Sequence, residues 1–284
     1  SRPFDDVLAE VKGLADQGVR EVTLLGQNVN AYAGIMRDGI PADLGLLIEA
    51  VAAVDGIGRV RFMTSHPVEF HEGLIAAYRE VPELADFLHL PVQSGCDMVL
   101  RLMKRGHTVA EYDELIQRVR QARPGIALAT DFIVGFPGEG EQEFAETLAL
   151  VDRVGFAAGA FSFAYSPRPG TPAAELTDPT PRAVKSERLQ RLQSRLEGYR
   201  ERAAQRLVGT TQQVLVEGAS RRNAAEMSGR TSCNRVVNFP GEKKLQGQFV
   251  NIDICDARAH SLRGKVVATE SGVDNRANVV VTDG

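Results

Sequence analysis

The sequence predicts an α/β chain in two parts: a parallel, partial (β/α) barrel, followed by a small antiparallel β-barrel. Three observations predict it. Strand-like apolar runs alternate with amphipathic helical segments up to residue 164, the pattern of repeated βαβ units. A long helix spanning about 181–207 follows, and beyond it the apolar period changes from 3.6 to 2. The charge changes sign at the same place. Residues 1–205 carry 22 basic and 29 acidic side chains, whereas 206–265 carry ten Lys/Arg against five acids.

The elements follow in order. Residues 4–17 have Asp5 and Asp6 early, Val7, Leu8, Val11 and Leu14 on one face, and Gly18 just beyond, which predicts a helix. Residues 20–25 form a β-type run stopped at Gly26. Helix 44–54, strand 60–63, helix 70–80 and strand 87–90 come next, then two helices over 96–105 and 109–122. Residues 126–134 and 156–164 read as strands around a helix over 141–154. Thr180-Pro181 offers a capping hydroxyl and a proline for the first helical position. Val184, Leu189, Leu192, Leu196, Tyr199, Ala203 and Leu207 make the apolar stripe of that helix. The alternating runs 211–217, 234–239, 248–254 and 263–269 then predict a small barrel without helices. The expected domains are 1–206, 207–268 and a weakly patterned tail over 269–284. The opening helix lacks the strand that should precede it, and Ser1-Arg2-Pro3-Phe4 resembles neither a signal peptide nor an initiator. The chain is therefore expected to begin inside a longer protein.

Composition narrows the class. Apolar residues are 43% and charged residues 25% of the 284, ordinary for a globular chain. No run approaches the roughly eighteen apolar residues of a membrane span, and a cytoplasmic location is expected. Cys96, Cys233 and Cys255 are odd in number and far apart, which argues against a disulfide framework and against metal-ligand spacing. No metal site is expected from this chain's own residues. The basic stretch predicts contact with a polyanion, as against ordinary charge scatter.

Ligands of parallel barrels bind at the C-terminal ends of the strands. The five predicted ends are Gly26-Gln27-Asn28, Thr64-Ser65-His66, Gln93-Ser94-Gly95, Gly135 to Glu139 with Asp131 upstream, and Tyr165 with Arg168. All five carry polar groups, which suggests one polar pocket. His66 reads as a base, a substrate contact or a structural residue. His89, between Leu88 and Leu90, reads as barrel interior. Asp131 would be costly if buried unpaired, so a ligand hydroxyl or a cation is expected beside it. Arg105 reads as a carboxylate clamp or a helix-end charge, and Glu139 as an acceptor for an amine or as the start of the next helix. No Ser-His-Asp order, Walker A loop or HExxH motif occurs.

Taken together, Leu24-Leu-Gly-Gln-Asn-Val-Asn-Ala-Tyr32, Thr64-Ser-His-Pro67, Leu90-Pro-Val-Gln-Ser-Gly95, Met103-Lys-Arg105 with Thr108, Asp131-Phe-Ile-Val-Gly-Phe-Pro-Gly-Glu139 and Phe163-Ala-Tyr-Ser-Pro-Arg-Pro-Gly-Thr171 resemble the radical-SAM methylthiotransferases. The small barrel resembles their TRAM domain. The resemblance covers about residues 1–268 and implies a partial radical-SAM barrel followed by an RNA-binding module. The Gly26 to Tyr32 run resembles the branch that adds a methylthio group to C2 of an isopentenylated adenosine beside the tRNA anticodon.

That resemblance implies S-adenosylmethionine (SAM) as cofactor and two 4Fe-4S clusters, one on a CxxxCxxC loop, with sulfur and electron donors and tRNA as partners. The three cysteines here match neither cluster, so the isolated chain is expected to be inactive. A catalytically inert tRNA-binding fragment is the competing reading, and a metal-dependent or aldol barrel enzyme a distant third. Carried over by position, Gln27, Asn28, Gln93, Ser94 and Arg105 would contact SAM, with Ser65 and Asp131 nearby. Gly135 to Glu139 would flank the adenine. His66, Tyr165 and Arg168 would face the substrate. Arg221, Arg222, Arg230, Arg235, Lys243 and Lys244 would meet RNA. A monomer is expected.

Overall fold

The computed structural model describes residues 1–267 apart from Thr64 and Arg222. The predicted tail and the Arg222 contact therefore lie outside the described residues. The first part contains α1 (Phe4–Asp16), β1 (Glu21–Leu24), a short hairpin of β2 (Gly34–Ile35) and β3 (Pro41–Ala42), α2 (Leu44–Ala52), β4 (Arg59–Phe62), α3 (Glu72–Glu80) and β5 (Phe87–His89). It continues with α4 (Asp97–Leu102), α5 (Val109–Ala122), β6 (Ala127–Val134), α6 (Glu141–Val154), β7 (Gly159–Ala164) and α7 (Arg182–Gln205). The second part holds β8 (Thr211–Ala219), β9 (Glu226–Thr231), β10 (Val236–Pro240), β11 (Phe249–Ala257) and β12 (Leu262–Val266).

β1 pairs parallel with β4, and β5, β6 and β7 pair parallel in that order. A single parallel bridge from Val60 to Leu84 joins the two runs. Five strands thus lie side by side in chain order, as a partial barrel. Alternation decides what each face does. Val60, Phe62, Leu88, Leu90, Leu128, Phe132 and Val134 enter the main core with apolar residues of the surrounding helices, including Leu192 and Leu196 of α7. The other face, toward the barrel interior, presents Glu21, Arg59, Arg61, His89, Asp131, Phe161 and Phe163. That face is polar and aromatic, unlike the aliphatic fill of a closed (β/α) barrel.

Several local expectations are corrected. The first of the two helices predicted over 96–105 stops at Leu102, because Lys104 and Gly106 take left-handed φ of 57° and 73°. The strand expected from 156 begins at Gly159, after Gly155 ends α6 in the left-handed region. The Thr180 hydroxyl does not cap α7; Pro181 flanks its start without a side-chain bond. The buried side of α7 includes Lys185 and Arg188 beside Leu192 and Leu196.

The second part is a closed barrel in the order β10-β12-β11-β8-β9. It departs from the expected all-antiparallel form at one seam, where β10 and β12 run parallel. Five is an odd number, so a ring of alternating strands cannot close without one parallel pair. β9 was missing from the sequence reading. Its inward positions are Met227, Gly229 and Thr231, so two of three lack an apolar side chain. Gly229 is required there, since a Cβ would sit 2.2 Å from the Leu215 carbonyl oxygen.

The two parts meet at the foot of the parallel sheet. Arg61 donates from Nε to Glu21 at 2.8 Å and from its terminal nitrogens to the carbonyls of Ser232 (2.8 Å) and Thr231 (2.7 Å). Arg59 bonds Glu21 and the Arg230 carbonyl, and its guanidinium lies 4.8 Å from the Phe249 ring centre. The Ser232 hydroxyl accepts from the Asp86 amide at 2.8 Å. The β9–β10 turn therefore plugs the lower end of the open barrel with buried, hydrogen-bonded contacts.

Candidate active site at the strand ends

After β1 the chain turns through Gln27, which is exposed, and Asn28, whose Oδ1 is buried without a partner. Asn30 then grips the next strand end: its Nδ2 donates to the His66 carbonyl and its Oδ1 accepts from the His66 amide, both at 2.8 Å. The sequence reading assigned Asn30 no role. The signal available was the spacing of two asparagines around Val29 after a strand.

Ser65 is buried and its Oγ has no partner. His66 accepts the Val68 amide on Nδ1 at 3.3 Å, and its ring meets His107 edge-on at 5.9 Å. Burial lowers the His66 pKa, with further lowering from Arg105 and His107. Burial likewise lowers His107, the other unforeseen residue of this cluster. Arg105 donates to the Pro91 carbonyl at 3.1 Å, while its Nε is buried without a partner. Three consecutive strand ends thus share one neighbourhood.

Gln93 has φ +76°, a left-handed conformation that costs a non-glycine residue energy and marks a constrained turn. Its backbone is held on both sides, Gln93 N to the Asp131 carbonyl at 2.9 Å and Ile133 N to the Gln93 carbonyl at 3.0 Å. Ser94 is a correction. It is buried against α6, its Oγ 3.4 Å from Thr147 Oγ1, and the Gly95 amide donates to the same Thr147 hydroxyl at 2.9 Å. That turn packs so tightly on α6 that a Cβ at Gly95 would lie 2.6 Å from Thr147 Cα.

The Gly135–Glu139 turn is also corrected. Glu139 accepts from the Gly135 amide at 2.7 Å and from Arg188 at 3.1 Å, with both side chains buried. Its Oε1 binds its own turn and α7, while Oε2 is buried without a partner. Burial pushes its pKa up, against the opposing pull of the Gly135 amide and Arg188. Gly135 makes room for protein: a Cβ would sit 2.5 Å from Lys185 Cγ. Asp131 already has a protein partner, His89 Nε2 at 2.9 Å. Tyr165 packs on Phe136 at 5.0 Å and donates to the Ala173 carbonyl at 2.8 Å, while Arg168 is exposed.

On the small barrel, Arg235 is corrected. Its guanidinium donates to the carbonyls of Ala157 (2.8 Å) and Arg200 (3.0 Å), so it ties the two parts together. Arg230 is paired to Glu217 at 2.9 Å, and Lys244 to Glu242 at 2.9 Å; Lys243 lies exposed in the same turn. Arg221 lines a depression of about 770 Å³ with Arg230, Arg258, His260 and Arg263. The last three were not singled out from the sequence, because they sit in a different hairpin from Arg221 and converge only when the barrel closes.

Among the described residues no group of three His, Cys, Asp or Glu side chains gathers for a metal ion. Cys96 is buried, Cys233 half-buried and Cys255 exposed, and none is disulfide-bonded.

Comparison with known proteins places residues 1–151 in the radical SAM superfamily and residues 205–267 in the TRAM domain family. This chain belongs to the radical SAM superfamily. Curated relatives of this radical SAM chain include a tRNA-2-methylthio-N(6)-dimethylallyladenosine synthase of Halorhodospira halophila, 67% identical over 270 residues, or 95% of this chain and 57% of the relative. The protein of the same name from Alkalilimnicola ehrlichii is 61% identical over 95% of this chain and 60% of its own. That of Methylococcus capsulatus is 53% identical over 100% and 61%. The radical SAM chain thus spans about three-fifths of the length of these relatives. A solved cobalamin-dependent S-adenosylmethionine radical enzyme, OxsB, matches 69% of the chain and 26% of its own at TM-score 0.42 and 13% identity, too loose a likeness to add to the argument. No helix among the described residues is long and apolar enough to cross a membrane.

Proposed function

We propose that this chain supplies the SAM pocket and the RNA grip of a tRNA methylthiotransferase, which converts the N6-isopentenyladenosine beside the anticodon to its 2-methylthio derivative. The observation that carries the reading is the set of buried, unpartnered polar atoms at consecutive strand ends: Asn28 Oδ1, Ser65 Oγ and Arg105 Nε. Buried polar atoms cost energy when left unmet, so they fit a ligand rich in amines, hydroxyls and carboxylate. SAM has that chemistry, and the relatives' name points the same way.

In this reading Gln27, Asn28, Ser65, Gln93 and Arg105 hold SAM. Arg105 is suited to its carboxylate and Asn28 Oδ1 to its amine. The neutral His66 imidazole stays available as a hydrogen-bond partner on the substrate side, with Tyr165 and Arg168 across the opening. Bound SAM would supply radical and methyl-transfer chemistry. The iron–sulfur clusters do not fit the described residues, because the three cysteines are scattered. Sulfur and electron donors belong to the proposal, as do a cytoplasmic location, a monomer, and domain limits of 1–206, 207–268 and 269–284. On the small barrel the phosphate contacts are Arg221, Arg258, Arg263 and the exposed Lys243.

Equilibrium dialysis tests the pocket. The chain should bind SAM, and Arg105→Ala should weaken binding by roughly 10-fold or more, as expected for loss of a charge-assisted bond. Equal binding by both would sink the assignment. Anaerobic reconstitution of the longer protein, with mass analysis of tRNA nucleosides, tests the reaction. Unmodified tRNA after reconstitution would favour the inert RNA-binding reading. SAM cleavage by this chain alone under strong reductant would contradict the proposed dependence on cysteines it does not contain.

A further inference from the structure

Two aromatic rings on the inner face of β7 are largely open to solvent. Phe161 and Phe163 are 62% and 57% exposed. Strand alternation puts them on one face, and the register sets them opposite Asp131 and Ile133 of β6. The Phe161 ring meets His89 edge-on, with centroids 6.2 Å apart. His89 Nε2 is bonded to Asp131 Oδ1, and His89 Nδ1 is buried without a partner. The same wall thus carries two exposed aromatic rings and the partly exposed carboxylate of Asp131. Its foot lies where Arg235 of the TRAM domain anchors to Ala157, and its head runs into Tyr165 and Arg168.

We propose that Phe161 and Phe163 form a stacking platform for one unpaired purine base of the bound RNA, and that the Asp131 carboxylate accepts from the exocyclic amine of that base. The proposal rests on the reading of the chain as part of an RNA-modifying enzyme. Aromatic rings stack on bases whatever their sequence, and a carboxylate on the neighbouring strand, opposite Phe161, selects an N–H donor. An aliphatic side chain or a lipid covering the wall would strip water from Asp131 without giving it a donor. An N6-alkylated adenine keeps one N–H for the carboxylate.

The test compares two end-labelled anticodon hairpins by fluorescence anisotropy on the full 284-residue chain: one with the loop adenosine beside the anticodon, the other abasic at that position. The chain should prefer the adenosine hairpin by roughly 10-fold. A Phe161→Leu/Phe163→Leu double variant should bind both hairpins with the abasic affinity. Both rings are exposed, so leucine leaves the core intact, and an unchanged melting curve checks this. The sequence has no tryptophan, so Phe163→Trp introduces a single reporter whose emission the adenosine hairpin should quench and the abasic one should not. Equal binding of both hairpins by the unmodified chain, a preference surviving in the double variant, or equal quenching by both would overturn the platform while leaving RNA binding in place. Failure to bind either hairpin would remove the RNA reading itself.

Discussion

Glu139 and Arg188 show how one buried pair can fix a strand-end turn. Both are inside the protein, and they join the turn after β6 to α7. Removing one partner of a buried ion pair leaves the other charge without compensation, a loss of about 3 kcal/mol or more. Glu139→Ala should therefore lower the unfolding free energy read from urea denaturation by that amount, and an unchanged midpoint would contradict the structural role. The histidine pair makes a second prediction at this scale. Burial lowers both His66 and His107, so the folded chain binds fewer protons than the unfolded chain as the pH drops below about 6.5. The stability they contribute is complete above that value and is lost as pH falls from it toward the lowered folded values. Melting temperature should fall between about pH 7 and about pH 5.5, and less steeply in His107→Gln. A parallel fall in both proteins would show that other groups dominate.

At the scale of elements, α5 carries a full capping box. The Thr108 hydroxyl accepts from the Glu111 amide at 3.2 Å, and Glu111 accepts from the Thr108 amide at 2.7 Å. Thr108→Ala should cost about 1 kcal/mol, readable as a shift in the denaturation midpoint with no change in slope. Elements of this kind were legible in the sequence. Long helices and parallel strands announce themselves by period and by the polar turns after each strand. Short pieces did not. The β2–β3 hairpin is two residues a side, below any periodic window, and β9 turns Gly229 and Thr231 inward where apolar residues were sought. The site was legible in outline and misread in detail for a related reason. Sequence spacing locates a strand end but cannot say which way a side chain turns. Ser94 and Glu139 point into helix packing, and Asn30 lies dozens of residues from the His66 backbone that it grips.

For the whole molecule, the decisive contact is the joint between the two parts. The Arg61 side chain is 5% exposed and serves Glu21 in its own domain and two carbonyls in the other. Arg61→Ala would leave those carbonyls and part of the Glu21 charge unmet, a loss of about 3 kcal/mol. Limited proteolysis should then open the segment between α7 and β8 in the variant, while the parent resists; equal resistance would show that the joint is held elsewhere. The charge asymmetry seen in the sequence did predict two parts, but not that basic residues of the second would be used up in joining them. Arg235, expected from the sequence to meet RNA, ties the two parts together through the Ala157 and Arg200 carbonyls.

The turn lodged at the foot of the sheet has one more consequence. Because hydrogen bonds from Arg59, Arg61, Asp86 and Arg235 hold it there, the peptide link across Gly209 is not what keeps the halves together. Produced as two separate polypeptides broken at that glycine, they should find each other and co-purify as a nicked but whole particle. The spacing between the small barrel and the strand ends would then be a dimension of the folded body, set as a caliper is set, and independent of how long the connecting chain happens to be.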